Sequence, residues 1–464
     1  MTDTGVKLPT LRVAVIGAGP AGTYAADILL KLQRDFDVAV DLFERLPAPY
    51  GLVRYGVAPD HPRIKGIINA LKEVLDEGQI RYFGNVNFGT DITLDDLKKH
   101  YHAVIFATGA ITDAPLEIPG IDAAGAFGAA DFVNWFDGHP DVPRTWPLEA
   151  ESVAVIGNGN VALDISRMLV KHADDLLTTE IPDNVYEGLA ANPIKELHIF
   201  GRRGPLQVKF TPLELRELGE VRDVDMVLDE RDFTLTDDYL AALPQQNKQV
   251  LVMTRIFDKW RAAQRARAAG DEAPASRQLV FHFWSKPIGV ETDVFGRVSG
   301  VKIQRTAPDG SGGVVDTDQV EVIPVQALYR AIGYYGSELP GVPFDAVRGV
   351  IPNEQGRVAT GVYATGWIKR GPVGLIGATK SDAKETIDSL VADWRAGLLW
   401  QPDAADADPA VIPALLNERG VAYTTVAGWQ KLDAYERELG AAHKHQRERL
   451  KVVDRDEMIR VSNS

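Results

Sequence analysis

VAVIGAGPAG, Val13 to Gly22, is an apolar run that ends in three glycines, Gly17, Gly19 and Gly22. Val13 to Ile16 read as a buried parallel strand. The glycines let the chain turn tightly and approach a pyrophosphate, and the residues that follow open a helix aimed at it. Such a loop alone says only that some dinucleotide binds. A second strand-like run, VAVDLFE, ends in Glu44, about 20 residues on, where a carboxylate would hydrogen-bond ribose hydroxyls.

A chain of 464 residues exceeds what one hydrophobic core normally organises, so two domains are expected. No apolar run is long enough to span a membrane, and the N-terminus MTDTGVKLPT lacks a signal core. A cytoplasmic location is the expectation. The chain has no cysteine, which removes redox-active disulfides, cysteine-ligated clusters and thiolate nucleophiles. A net charge of −15 disfavours general nucleic-acid binding, although a local basic patch can still recruit an acidic partner. No metal site is expected.

TYAADILLKLQRDF reads as the first crossover helix. From Leu46 to Lys65 the chain is rich in proline, glycine and aromatic residues, too irregular for a helix and too apolar for a simple surface linker. It is either a wall for a bound ring system, with Leu52 and Val57 as apolar contacts and His61 as the polar group, or a rigid covering loop. Ala103 to Thr108 form a short buried strand, after which Pro115 and Pro119 mark a first crossing between domains.

SVAVIGNGNVALDISRML, Ser152 to Leu169, repeats the opening pattern with Gly157, Gly159 and Ala162 at the small positions. A repeated strand-loop-helix unit implies two nucleotide sites. The next strand, ELHIFG, leads into Arg202 and Arg203, at the place where the first unit has Glu44. A carboxylate there repels a ribose 2′-phosphate, whereas two guanidiniums clamp one, so the second site is expected to take NADP(H). TPLELRELGE reads as a helix with Thr211 at its N-cap and Pro212 at the first helical position. Its Glu214 is either a favourable first-turn carboxylate or a neighbour of the bound nicotinamide ribose.

Arg255, Lys259, Arg261, Arg265 and Arg267 surround Trp260. They form either a docking patch for an acidic electron carrier or a solvated helix face. Strand-like runs at Leu279 to Val290 and Val298 to Ile303 suggest a hairpin-like sheet. The return to the first domain is expected near ALYRAIG, Ala327 to Gly333. GVYATGWIKRGPVGLIGATKSDA, Gly361 to Ala383, then supplies a third glycine-rich loop at the same sheet edge as the first. There Trp367 is a stacking surface or a core tryptophan, and the Gly374 to Ile376 backbone is placed to approach a ring edge. The tail from Gln401 to Ser464 reads as polar helices around Trp429 and Tyr435, with no evident chemistry.

VAVIGAGPAG, PYGLVRYGVAPDHPRIK, AVIGNGNVALD, FGRRGPLQ with TPLELREL, and GWIKRGPVGLIG together resemble the adrenodoxin reductase family of NADPH:ferredoxin reductases, actinobacterial members above all. The resemblance implies an α/β fold of two Rossmann-like nucleotide-binding domains: a discontinuous FAD domain from residues 1–110 and 327–464, the latter including the C-terminal helices, and an inserted NADP domain at 111–326. It assigns Ala18, Glu44, Leu52, Val86, Trp367, Gly374, Leu375 and Ile376 to FAD, alongside the loop glycines Gly17, Gly19 and Gly22. It assigns Asn158, Gly159, Asn160, Val161, Arg202, Arg203, Glu214 and Gly374 to NADP, and puts His61 near the flavin. His61 and Glu214 are the expected catalytic residues.

The implied reaction passes a hydride from NADPH to FAD and then single electrons to a ferredoxin-type iron-sulfur protein. The protein is expected to act as a monomer, without nucleic acid or membrane. A disulfide reductase is excluded by the lack of cysteine. An FAD/NADPH monooxygenase and an electron-input subunit of a larger redox complex remain alternatives, the latter disfavoured because such subunits carry cluster-binding cysteines. A redox-inert NADP sensor is the non-enzymatic alternative.

Overall fold

Two six-stranded sheets organise the chain in the computed structural model, which describes residues 10–32, 36–233, 248–374 and 376–464. The first sheet runs Arg357–Ala359, Val362–Ala364, Ala103–Phe106, Leu11–Ile16, Val38–Glu44, Ile80–Gly84. It is parallel except for its edge strand Arg357–Ala359. Crossovers of parallel strands cover both faces of a sheet, and Leu11–Ile16 is accordingly buried at every residue. Helix Pro20–Lys31 packs beside helix Ile376–Arg395. Pro20 takes an early helical position, where its missing N–H has no intrahelical partner to lose.

The second sheet is parallel throughout and runs Ala126–Gly128, Ala327–Arg330, Ser152–Ile156, Glu196–Phe200, Arg277–His282, Val224–Leu228. Its core repeats the first: Ile156 pairs with Phe200 as Ile16 pairs with Phe43. Ala327–Arg330, expected at the return to the first unit, is hydrogen-bonded here instead. An apolar strand suits either sheet, so composition placed the boundary too early. The chain crosses back only beyond it, where Tyr334–Tyr335 pairs antiparallel with Thr112–Asp113 of the outward crossing.

Two other expectations are refined. The run from Leu279 to Val290 is split, because Trp284 (φ 51°) turns the chain. Arg277–His282 stays in the parallel sheet, and Ser285–Thr292 begins a three-stranded antiparallel sheet with Val298–Pro308 and Val314–Ile323. The segment from Leu46 to Lys65 contains two one-turn helices, Leu52–Tyr55 and Pro62–Lys65.

The tail forms helices Val411–Glu418, Val426–Ala442 and Arg455–Ser462. Trp429 meets the Tyr50 ring edge-on at 5.6 Å. Arg447, Arg449 and Lys451, two residues apart along an extended stretch, are all buried. Arg54 grips Glu436 through both guanidinium nitrogens, Arg449 lies 3.1 Å from Glu436 and 2.8 Å from Asp433, and Lys451 lies 2.9 Å from Glu180. Lys65 reaches Asp137 and Glu180. Buried charge is tolerated only when paired: Arg54, Lys65, Arg449 and Lys451 face the four carboxylates of Asp137, Glu180, Asp433 and Glu436, and Arg447 pairs with Asp183. The cluster ties the loop after the first glycine turn to the second unit and the tail. Among the described residues no helix is long and apolar enough to cross a membrane, and no group of His, Asp or Glu side chains could hold a metal ion.

Candidate functional site

The first loop leaves Leu11–Ile16 through Gly17 (φ 107°), where a Cβ would sit 2.5 Å from the Ala107 carbonyl oxygen. Helix Pro20–Lys31 starts at Gly19 with no side-chain cap, leaving the N–H groups of its first turn for an anion. Glu44 is turned onto this loop: Oε2 accepts the Ala18 N–H at 2.8 Å and Oε1 the Leu46 N–H at 3.1 Å. Burial raises the Glu44 carboxyl above its ordinary range against the pull of those donors. Val86 is held beside Glu44, donating its N–H to the Glu44 carbonyl at 2.9 Å. Tyr50 donates to the Ala18 carbonyl at 2.9 Å, and half-buried Leu52 opens the next helical turn.

Val362–Ala364 and Leu11–Ile16 flank Ala103–Phe106 in parallel, so their loops leave the same sheet edge. Gly366 packs onto the first loop's helix, where a Cβ would lie 2.5 Å from Ala21 Cβ. Half-buried Trp367 follows it. The Gly366 N–H and Thr365 hydroxyl donate to Asp382 at 2.6 and 3.0 Å. Gly374 is exposed with φ 85°, and Ile376 opens helix Ile376–Arg395. Leu375 lies outside the described residues.

The second loop repeats the geometry. Gly157 has φ 146°, and a Cβ there would lie 2.1 Å from the Ala331 carbonyl oxygen. Gly159 caps its helix without a side-chain bond and faces open space. Asn158 accepts the Lys209 N–H through its carbonyl and Asn160 the Thr211 N–H through Oδ1, both at 2.9 Å, while Val161 is half-buried. Arg202 is exposed and Arg203 half-buried. Their turn is held by the Thr306 hydroxyl, 2.7 Å from the Arg202 carbonyl, and by the Trp284 N–H, 3.2 Å from the Arg203 carbonyl. Among the described residues neither guanidinium has an ion pair, and Arg203 Nε is buried without a hydrogen-bond partner.

His61 lies where the two units meet. Its Nδ1 is 2.8 Å from Glu217 Oε2, and its Nε2 is 2.8 Å from Asp164 Oδ1 and 2.6 Å from an Arg167 nitrogen. Asp60 holds Arg167 through both carboxylate oxygens at 2.8 and 2.9 Å and accepts from Lys171 at 2.7 Å. Burial and Arg167 press the imidazole towards neutrality, but Asp164 and Asp60 outweigh them and raise its pKa. Burial, with Glu214 and Asp60, keeps the Glu217 carboxyl above its usual range. Burial alone would raise Asp60, yet Arg167 and Lys171 bring it far below the usual range.

Glu214 is not the carboxylate on His61. Thr211 caps helix Pro212–Gly219 and its hydroxyl donates to Glu214, so that side chain folds back on its own helix start, and Glu217, three residues on, faces the histidine. Asp60, Asp164, Arg167 and Glu217 escaped the sequence reading. Their trace there is an Asp and an Arg, Asp164 and Arg167, set three apart in the mostly apolar VALDISRML.

The basic cluster divides. Trp260 is buried, Arg261 and Arg265 both pair with Glu230, and Arg267 pairs with Asp225. Arg255 and Lys259 have no ion pair among the described residues.

Residues 11–197 match the sequence model of the family "Pyridine nucleotide-disulphide oxidoreductase". The chain is 40% identical over 470 residues to the NADPH-ferredoxin reductase FprA of Mycobacterium tuberculosis, covering 97% of this chain and 98% of that protein. It is 38% identical over 462 residues to the human mitochondrial NADPH:adrenodoxin oxidoreductase, covering 97% of this chain and 92% of that one. The solved structure of Mycobacterium tuberculosis FprA in complex with NADPH superposes with a TM-score of 0.88 at 38% identity, covering 98% of this chain and all of the other. With both glycine loops, the arginine pair and this near full-length likeness in agreement, the chain belongs to the family of NADPH-ferredoxin and NADPH:adrenodoxin reductases.

Proposed function

We propose that the chain is an NADPH:ferredoxin reductase carrying FAD in the first loop and taking NADPH in the second. The observation that carries the assignment is the opposition of Glu44, already bound to its own glycine loop, to the guanidiniums of Arg202 and Arg203, which have no ion pair among the described residues. The residues present suit both groups. An uncapped helix start and glycines without room for a side chain suit a pyrophosphate at each loop, and the orphaned Arg203 Nε suits a 2′-phosphate.

FAD, when bound, supplies the relay between a hydride donor and single-electron acceptors. Gly17, Ala18, Gly19, Gly22, Glu44, Leu52 and Val86 would hold its nucleotide part, with Trp367 and the Gly374 to Ile376 segment beside the ring. Asn158, Gly159, Asn160, Val161, Arg202 and Arg203 would hold NADP, with Gly374 between the two. His61 keeps a proton at Nε2 or Nδ1 between Asp164 and Glu217, ready for exchange at the ring edge. The role expected of Glu214 passes in this reading to Glu217, and Glu214 fixes the start of the helix that carries it. The described residues up to 110 with those beyond Arg330 form the FAD unit, and the strands between form the NADP unit. The acceptor is an acidic ferredoxin, and Arg255 and Lys259 are the part of the basic cluster left to meet it. The enzyme is taken as a cytoplasmic monomer.

Protein purified without added cofactor should be yellow, and NADPH but not NADH should bleach it anaerobically. Colourless protein that still binds NADPH would instead support the redox-inert sensor. Consumption of NADPH that rises with oxygen and an organic substrate would favour a monooxygenase.

A further inference from the structure

Arg167 is almost wholly buried, yet among the described residues it binds no backbone carbonyl. Its Nε goes to Asp60 and one terminal nitrogen is shared among Asp60, Asp164 at 2.9 Å and His61, while the other terminal nitrogen is buried without a hydrogen-bond partner among the described residues. The charged groups around the imidazole are Asp60 from its own loop, Asp164 and Arg167 from helix Asn160–Val170, Lys171 just beyond that helix, and Glu217 from helix Pro212–Gly219, with Glu214 one turn back. His61 Nε2 thus faces an acceptor, Asp164 Oδ1, and a donor, Arg167, at once.

With a proton on Nε2, the imidazole donates to Asp164, and the Arg167 hydrogens turn to the two aspartates. With Nε2 bare, Arg167 donates to it. Without the guanidinium, a bare Nε2 would face the Asp164 carboxylate lone pair at 2.8 Å, an arrangement that keeps the proton on. We propose that Arg167, clamped by Asp60, is a positioning residue that gives the His61 imidazole a hydrogen-bond partner in both protonation states and so lets its proton leave. This rests on the reading of His61 as a working residue, but its proton affinity is measurable independently of turnover.

The test follows the His61 ring signal by NMR against pH in the FAD-loaded protein, with His61→Gln to assign it, in the wild type, Arg167→Met, Arg167→Lys and Asp60→Asn. Arg167→Met should raise the midpoint by about one unit, a tenfold gain in proton affinity. Arg167→Lys keeps the charge but loses the fork, and should raise it less. Asp60→Asn removes an anion and releases the guanidinium, and should lower the midpoint, which keeps the question open to test if Arg167→Met fails to fold. Midpoints unchanged in Arg167→Met, or unchanged in Asp60→Asn where only that variant folds, overturn the proposal. The pH profile of flavin reduction by NADPH is read in parallel. A shifted ring midpoint with an unshifted profile would leave the role of Arg167 standing and remove His61 from the reaction.

Discussion

The two glycine loops are built on one plan and end in opposite chemistry. Each follows a buried parallel strand, turns through a glycine in the left-handed region, and opens a helix without a side-chain cap. In the first, the carboxylate at the end of the neighbouring strand is drawn into the loop by the Ala18 and Leu46 N–H groups. In the second, the neighbouring strand runs on into Arg202 and Arg203, whose carbonyls accept from the Thr306 hydroxyl and the Trp284 N–H while the guanidiniums have no ion pair among the described residues. The fold thus supplies a dinucleotide cradle twice, and in the function proposed the residues just past one strand decide which nucleotide each cradle takes.

The largest effects should come from breaking one cradle at a time. Gly157→Ala puts a Cβ 2.1 Å from the Ala331 carbonyl and should weaken NADPH binding about 1,000-fold or more, roughly 4 kcal/mol, with FAD retained. Gly17→Ala, 2.5 Å from the Ala107 carbonyl, should give colourless protein that still binds NADPH. Absorbance spectra with NADPH titration check both, and loss of the same nucleotide in the two variants would break the comparison.

Next is the seam between the units. Glu436→Gln leaves Arg54 and Arg449 with less buried compensation and should lower stability by about 3 kcal/mol, read as a shifted denaturant midpoint. A smaller loss is expected from Arg202→Ala with Arg203→Ala: NADPH affinity falls by about 100-fold at some 1.5 kcal/mol or more per charged contact, while NADH binding hardly changes. Surviving NADPH preference would remove the 2′-phosphate assignment.

Acid should have the mildest effect. Asp60 and Glu180 have folded-state pKa values well below the ordinary range, because the cations around each outweigh the upward push of burial. Their stabilisation is fully present above the unfolded pKa of about 4 and is lost as pH falls from there through the folded values. Thermal unfolding should therefore steepen its pH dependence only below about pH 4, and Asp60→Asn should flatten it.

The cradles were legible because their signal is local. A strand, a glycine turn and a helix lie in one stretch of chain, and the contrast of Glu44 with Arg202 and Arg203 needs only the strand that follows. The histidine cluster was not, because Asp60 and His61 meet Asp164, Arg167 and Glu217 only after two units pack together. Glu214 and Glu217 sit three apart on one helix, and sequence had no means of telling which would turn to His61. The tail concealed its part in the same way: the alternation of Arg447, Arg449 and Lys451 marks one buried side of an extended stretch, but the carboxylates of Asp183 and Glu180 that meet Arg447 and Lys451 lie far away in sequence. The boundary at Ala327 was misplaced because a strand's composition does not name its sheet.

Electron delivery tests the central claim most directly. The FAD-loaded protein is mixed anaerobically with limiting NADPH and excess oxidised ferredoxin, and reduced ferredoxin is counted by absorbance. Because a hydride carries two electrons and an iron-sulfur carrier accepts one at a time, two ferredoxins should be reduced per NADPH, with the flavin returned to its oxidised colour. Flavin that NADPH bleaches but ferredoxin cannot reoxidise would contradict the account.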